Sequence, residues 1–168
     1  MEMITHNLVG ISIQILCFNY FLFPINIILT IIFAFASHFI VDAFAKITYH
    51  TPERLEGDKF WLIWHVIILI LSFGSWIFFF IPFWLGMLFA NGVDIWDWLI
   101  FRPIVKKRIK NEKEKTDKKE YFFHVGVDYL RKILLFWLPN WNYKRYAIIP
   151  ELVVICGLLI FIITHLYF

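Results

Sequence analysis

The sequence predicts an all-α, polytopic membrane protein of about five or six short transmembrane helices, and three observations carry that reading. Of its 168 residues, 61% are hydrophobic, 21% aromatic and 17% charged, whereas a soluble domain is roughly half apolar and a quarter charged. The mean hydropathy is accordingly +0.71. The apolar residues also fall into runs near the roughly 20 residues that a helix needs to cross a bilayer core. Finally, Pro24, Pro82 and Pro103 stand where those runs change over, at helix ends where a missing N–H costs least.

Taken in order, a first helix is expected over residues 7–23, closed by Pro24, and a second over residues 25–45. Residues 46–59 form a polar stretch containing Thr51-Pro52-Glu53-Arg54. A third helix is expected over residues 60–81 and a fourth over 83–101, on either side of Pro82. The turns at Pro24 and Pro82 are short enough to make the flanking helices antiparallel neighbours, giving two hairpins. Residues 102–120 are the one long hydrophilic stretch and read as a loop. Residues 121–138 form a shorter, ambiguous helix carrying Asp128, Arg131 and Lys132. Residues 139–146 make an interfacial loop with Trp141 and Tyr143, and a last helix covers 147–168. The whole chain, 1–168, reads as a single transmembrane helical domain.

Charge sets the orientation. The net charge of +3 comes mainly from residues 102–119, where acids interleave with the bases, which argues against nucleic acid and for a loop held near anionic lipid. If all six segments cross, Lys46, Arg54, Lys59, Arg102 and the bases from Lys106 to Lys119 share the side of Met1, against Lys144 and Arg145 on the other. The positive-inside rule then gives a multi-pass protein of the cell membrane with the basic loop cytoplasmic. Cys17 and Cys156 lie in apolar runs and read as small hydrophobes, without a disulfide framework. The first residues lack the basic start and small-residue cleavage site of a signal peptide, so the first helix is expected to be retained.

On this topology the ionisable residues converge. His6 precedes the first helix; His38 and Asp42 end the second; His50 and Glu53 follow; His65 opens the third. Asp94 and Asp97 end the fourth, and His124 and Asp128 begin the fifth. All fall at one depth on the side of Met1. His38/Asp42 and His124/Asp128 are four apart and Asp94/Asp97 three apart, so each pair shares a helix face. Imidazole and carboxylate from facing helices are the ligands of zinc, iron and manganese sites. Such groups are expensive within a membrane unless they face the protein interior. The expected centre therefore holds a divalent metal ion, zinc or similar, drawn from His6, His38, Asp42, His65, Asp94, His124 and Asp128. Asp97 or Glu53 is the expected general base. Taken singly, several of these residues have simpler roles: His6, His50 and His65 as headgroup contacts, Asp128 paired with Arg131 or Lys132, and Asp42 with Lys46.

The opening Thr5-His6-Asn7-Leu8-Val9-Gly10 resembles the Thr-His-x-x-x-Gly start of the YdjM-like family of membrane-bound metal-dependent hydrolases, and Ser37-His38-Phe39-Ile40-Val41-Asp42 resembles that family's Ser-His-x-x-x-Asp motif. The resemblance covers the first quarter of the chain and implies metal-ligand roles for His6, His38 and Asp42. The His-x-x-x-Asp pair is also similar to a ligand pair of zinc-dependent phospholipase C.

The expected function is metal-assisted hydrolysis at the cytoplasmic face, on a lipid or other amphiphilic substrate reaching the site from the bilayer. A transporter or ion-conducting subunit using the same groups as a relay, and a non-catalytic scaffold docking through the basic loop, are the alternatives. Conduction needs polar groups through the full membrane depth, and the side away from Met1 offers little beyond Gln14, Asn19 and Asn26.

Overall fold

The computed structural model describes residues 1–50, 57–111 and 121–167, which are helical and contain no strand. Helix α1 spans Met3–Tyr20, α2 Ile25–Phe44, α3 Lys59–Ala90, the single turn α4 Gly92–Asp94, α5 Arg102–Asn111, α6 His124–Ile133 and α7 Ile148–Tyr167. A π-helical segment, Ile95–Phe101, joins α4 to α5.

Three of the described helical stretches, Ile25–Ile47, Lys59–Ala90 and Arg145–Leu166, are long and apolar enough to cross a membrane. The expected five or six such helices are not found, for three separate reasons. Helix α1 carries Thr5, His6, Asn7, Ser12 and Gln14, all buried, and a helix enclosed by protein need not be apolar. Residues 121–138 yield the ten-residue α6, roughly 15 Å long and too short for a core of about 30 Å. The expected third and fourth helices run together as α3, with Pro82 inside it. The hydrophilic stretch beginning at Arg102 is helical as far as Asn111.

Pro82 nonetheless breaks α3. It has no N–H to donate and its ring crowds the preceding turn, and Phe83 leaves helical geometry at φ −125, ψ 21. Asn7 measures the bend: its Nδ2 donates to Ser75 Oγ (2.7 Å) and its Oδ1 accepts from Asn91 Nδ2 (2.7 Å). A straight helix would hold Ser75 and Asn91 roughly 24 Å apart at about 1.5 Å per residue. The second arm of α3 therefore folds back beside the first, as the expected hairpin requires.

Helix α1 forms the axis around which α2, both arms of α3 and α7 pack. Gly10 and Gly86 bring the α1 and α3 backbones into contact, and a Cβ at either position would overlap the other's carbonyl. One turn on, Gln14 Nε2 donates to Pro82 O (3.0 Å) while its Oε1 accepts from Gly86 N–H (2.8 Å). An unbroken helix would join that carbonyl and that N–H to each other. The amide of Gln14 thus takes the place of the backbone bond lost at the bend, in an interior where unsatisfied polar groups are costly.

The opposite end is knitted by its connections. Asp58 caps α3 by accepting from Phe60 N (3.1 Å) and Trp61 N (3.4 Å). Trp141 N donates to Lys46 O, Tyr49 N to Ala147 O and His50 N to Asn142 O. Since α6 does not cross, the loop before α7 lies at the same end as residues 46–50, contrary to the six-crossing layout. Glu151 in α7 is buried and accepts from Glu2 N (2.9 Å) and Thr5 Oγ1 (2.6 Å). Its carboxylate satisfies the start of α1, where free N–H groups and the helix dipole favour negative charge.

Candidate metal centre

Three packing events bring the polar groups together. The α1–α2 hairpin sets His6 beside the end of α2, the bend in α3 returns the chain so that Asp94 reaches the same level, and α6 packs along α2 with His124 beside His38. His38, Asp42, Asp94 and His124 each offer a ligand atom, and these four atoms lie within 4.8 Å of one another. His38 Nε2 is 3.2 Å from Asp42 Oδ2 and 3.8 Å from Asp94 Oδ1. His124 Nε2 is 3.5 Å from Asp42 Oδ2 and 3.4 Å from Asp94 Oδ1.

These separations suit ligands better than hydrogen-bonded partners. Charge-assisted hydrogen bonds run to about 2.7–2.9 Å. Donors at the edges of a tetrahedral zinc site, with bonds of about 2.0–2.2 Å, stand roughly 3.3–3.6 Å apart. Both imidazoles are also anchored by the other ring nitrogen. His38 Nδ1 lies 2.8 Å from Ala90 O, and since a carbonyl only accepts, Nδ1 carries the hydrogen. In the neutral ring Nε2 then presents its lone pair, and this fully buried atom has no hydrogen-bond partner among the described residues. His124 Nδ1 is held by Asp97 Oδ2 at 2.8 Å. A ligating histidine whose remote nitrogen is fixed by a carbonyl or carboxylate is the usual outer arrangement of a metal site.

Asp97 has a different place from that expected of a general base. Fully buried, it accepts from the N–H groups of Phe122 (3.1 Å), Phe123 (3.0 Å) and His124 (2.9 Å) as well as the His124 ring. Those contacts leave it no lone pair aimed at a substrate and make it the residue that positions His124. Burial opposes ionisation of Asp97, but the His124 bond and the three N–H groups outweigh it and hold the carboxyl below its ordinary value. Burial likewise works against a charged His124, yet the three carboxylates around it, Asp42, Asp94 and Asp97, push it up to about 10. The three-residue spacing of Asp94 and Asp97 across the π-helical turn lets one carboxylate face each nitrogen of the His124 ring.

The remaining expected site residues divide. His6 is stacked on His38, with ring centres 4.3 Å apart, and its Nε2 bonds Asp42 Oδ1 at 2.9 Å. The Met1 amino group donates to the same oxygen at 2.8 Å, which leaves Oδ2 to face the other two histidines. His6 is therefore a support of Asp42 rather than a fifth converging ligand. His65 is outside the cluster: its Nδ1 bonds Trp61 O (2.8 Å) one turn back and its ring stacks on Trp61. Asp128 is exposed at the rim, 3.5 Å from Arg131 Nη1, because one turn along α6 carries it outward. Glu53 lies outside the described residues.

Beside the cluster is a cavity of about 420 Å³, lined in part by Asp42, Asp94, Trp98, Tyr121, His124 and Arg131. Compared with known proteins, the chain matches no family model, no curated protein and no solved structure. The geometry alone therefore speaks for the site. Sequence reasoning passed over Ala90, whose carbonyl has no sequence signature. It also passed over Glu151, which had one: it is the one carboxylate in the final apolar run. Arg131 was seen only as a partner for Asp128, although its Nη2 donates to Asp42 O at 2.9 Å on the cavity wall.

Proposed function

We propose that this protein is a membrane-embedded metal-dependent hydrolase acting on a lipid or other amphiphile, with His38, Asp42, Asp94 and His124 holding a divalent ion such as zinc. The observation that carries the reading is the pairing of two anchored imidazoles, His38 through Ala90 and His124 through Asp97, with both Nε2 atoms turned toward the same two carboxylates. A bound ion supplies Lewis acidity and a water acidified toward neutral pH. The chain's own part is to orient the imidazoles through Ala90 and Asp97, to keep Asp42 fixed through His6, and to offer a cavity large enough for a headgroup.

The orientation belongs to the same proposal. Lysine and arginine are absent from residues 1–45, 60–101 and 146–168. Among the described bases, Lys46, Lys59, Arg131, Lys144 and Arg145 belong to the connected end beside the cluster, which the positive-inside rule assigns to the cytoplasm. Transport fits less well. The polar residues deeper in the bundle, Asn7, Ser75, Asn91 and Gln14, are bonded to one another or to the α3 backbone. Near them the Gly10 and Gly86 backbones touch and close the seam.

The test is elemental analysis of detergent-purified protein alongside a His38→Ala/Asp42→Ala variant, with hydrolysis of ester and phosphoester amphiphiles measured before and after chelation. The proposal expects about one ion per chain in the wild type, its loss in the variant, and chelator-sensitive turnover. A folded wild type without tightly bound transition metal sinks it.

A further inference from the structure

We infer that the cavity beside the cluster is the headgroup site for a phosphoryl-bearing amphiphile, with Arg131 selecting the anion and an adjoining apolar groove taking the hydrocarbon chain. This deepens the hydrolase reading and rests on it. Asp42 and Asp94 together cancel the charge of a divalent ion, so attraction for an anionic substrate has to come from elsewhere on the wall. Among the described residues lining the cavity, Arg131 is the one arginine or lysine. Its guanidinium is fixed by the Nη2 bond to Asp42 O, its contact with exposed Asp128 is long at 3.5 Å, and its buried Nε has no partner among the described residues. A planar fork of N–H donors with unused capacity, attached to the backbone of a proposed metal ligand, suits phosphoryl oxygens. A phosphoryl group presents oxygens in three directions and can meet an ion and a guanidinium together. A carboxylate has two oxygens in one plane and meets both less well.

The second observation concerns the rest of the ligand. A groove of about 320 Å³ runs along the first arm of α3 and is lined by Leu62, Val66, Ile68 and Leu69, with Glu2 and Met3 also on its wall. Glu2 and Met3 also line the polar cavity, so the two spaces adjoin across the first turn of α1. Leu62, Val66 and Leu69 face outward, where an alkyl chain from the bilayer would arrive. A polar chamber with an anion-binding side chain, opening beside an apolar outward-facing groove, has the division of a single amphiphile: phosphoryl head inside, chain along α3.

Calorimetric titration of the detergent-purified, metal-containing protein tests this with three probes: dodecyl phosphate, dodecanoate and inorganic phosphate. The expected result is dodecyl phosphate binding at least about tenfold more tightly than either of the others. Arg131→Gln should weaken it by about tenfold or more, the scale of a hydrogen-bonded charge, with metal content unchanged. Val66→Trp, which fills the groove from its outer wall, should weaken dodecyl phosphate and leave inorganic phosphate as it was. Equal affinity for dodecanoate, or an Arg131→Gln variant that binds like the wild type, overturns the phosphoryl assignment. Equal affinity for inorganic phosphate, or indifference to Val66→Trp, overturns the chain groove and leaves a site for free phosphate. Should Arg131→Gln fail to fold, the probe preferences of the wild type and the Val66→Trp comparison still decide. Loss of these preferences with metal present rejects this inference alone, whereas absence of metal rejects the hydrolase reading beneath it.

Discussion

Asp97→Asn is the most informative single change, because it alters one charge and leaves every proposed ligand in place. The carboxylate of Asp97 accepts from His124 Nδ1 and from three consecutive backbone N–H groups at the start of α6. Asparagine keeps one oxygen and puts an NH2 where the other stood, so at least two donors would point at a donor. Those N–H groups are fixed in the backbone entering α6, so the His124 ring, free to rotate, is the part that yields, and its Nε2 leaves the cluster. Changes to such outer partners typically weaken metal binding by about 10–100-fold, which is about 1.4–2.7 kcal/mol. The crowding of donors here argues for the upper half of that range. Competition against a chromophoric chelator of known affinity, on protein shown to be folded by size exclusion and circular dichroism, gives the ratio directly. If the folded Asp97→Asn protein holds metal within about twofold of the wild type, Asp97 merely caps α6 and the anchored-imidazole argument fails.

Three further outcomes follow from the same geometry. His65→Ala and Asp128→Ala should leave metal content unchanged, while His38→Ala and His124→Ala each remove it and their double variant is little worse, since residues of one network are not additive; elemental analysis of all five proteins decides. Gln14→Leu strands the Pro82 carbonyl and the Gly86 N–H and should cost about 2–6 kcal/mol, at about 1–3 kcal/mol for each unsatisfied group; an unchanged unfolding midpoint would show that the bend satisfies itself. The third outcome concerns pH. A folded pKa for His124 of about 10, above the ordinary 6.5, means that the folded chain binds this proton more tightly than the unfolded one. Its stabilisation is complete below about 6.5 and disappears as pH rises through about 10. Chelator-treated protein should therefore lose thermal stability between pH 7 and 10, and metal-loaded protein, with His124 neutral, should lose less; a rise over that interval contradicts the proposed pairing.

His38, Asp42, Asp94 and His124 were legible as site candidates because helical spacing puts such pairs on one face, and because buried charge in an apolar chain demands a partner. Pro82 marked its break for an equally local reason, the missing N–H. For His65 and Asp128, depth and neighbourhood differ. His65 sits near the same end of the bundle, yet its helix presents that turn to Trp61 and the outer groove. Asp128 follows His124 by one turn on a helix that runs along α2, yet its carboxylate stands exposed at the rim beside Arg131 instead of turning into the cluster. The crossing count was too high for a similar reason: α1 was counted as a span, but its buried Thr5, His6, Asn7, Ser12 and Gln14 face other helices and it is not among the stretches apolar enough to cross.

By itself, then, the sequence determined the helical, membrane-suited character of the chain, its breaks at Pro24 and Pro82, and the set of residues from which a metal centre could be drawn. These follow from composition and from periodicities of a few residues, which act locally. Tertiary structure alone decided which of the candidates meet, and in what role. His38 turns its Nε2 inward because the Ala90 carbonyl holds Nδ1, and Asp97 serves His124 because the N–H groups entering α6 converge on it. Both are contacts between residues far apart in the chain, His38 with Ala90 and Asp97 with the start of α6, that no local spacing encodes.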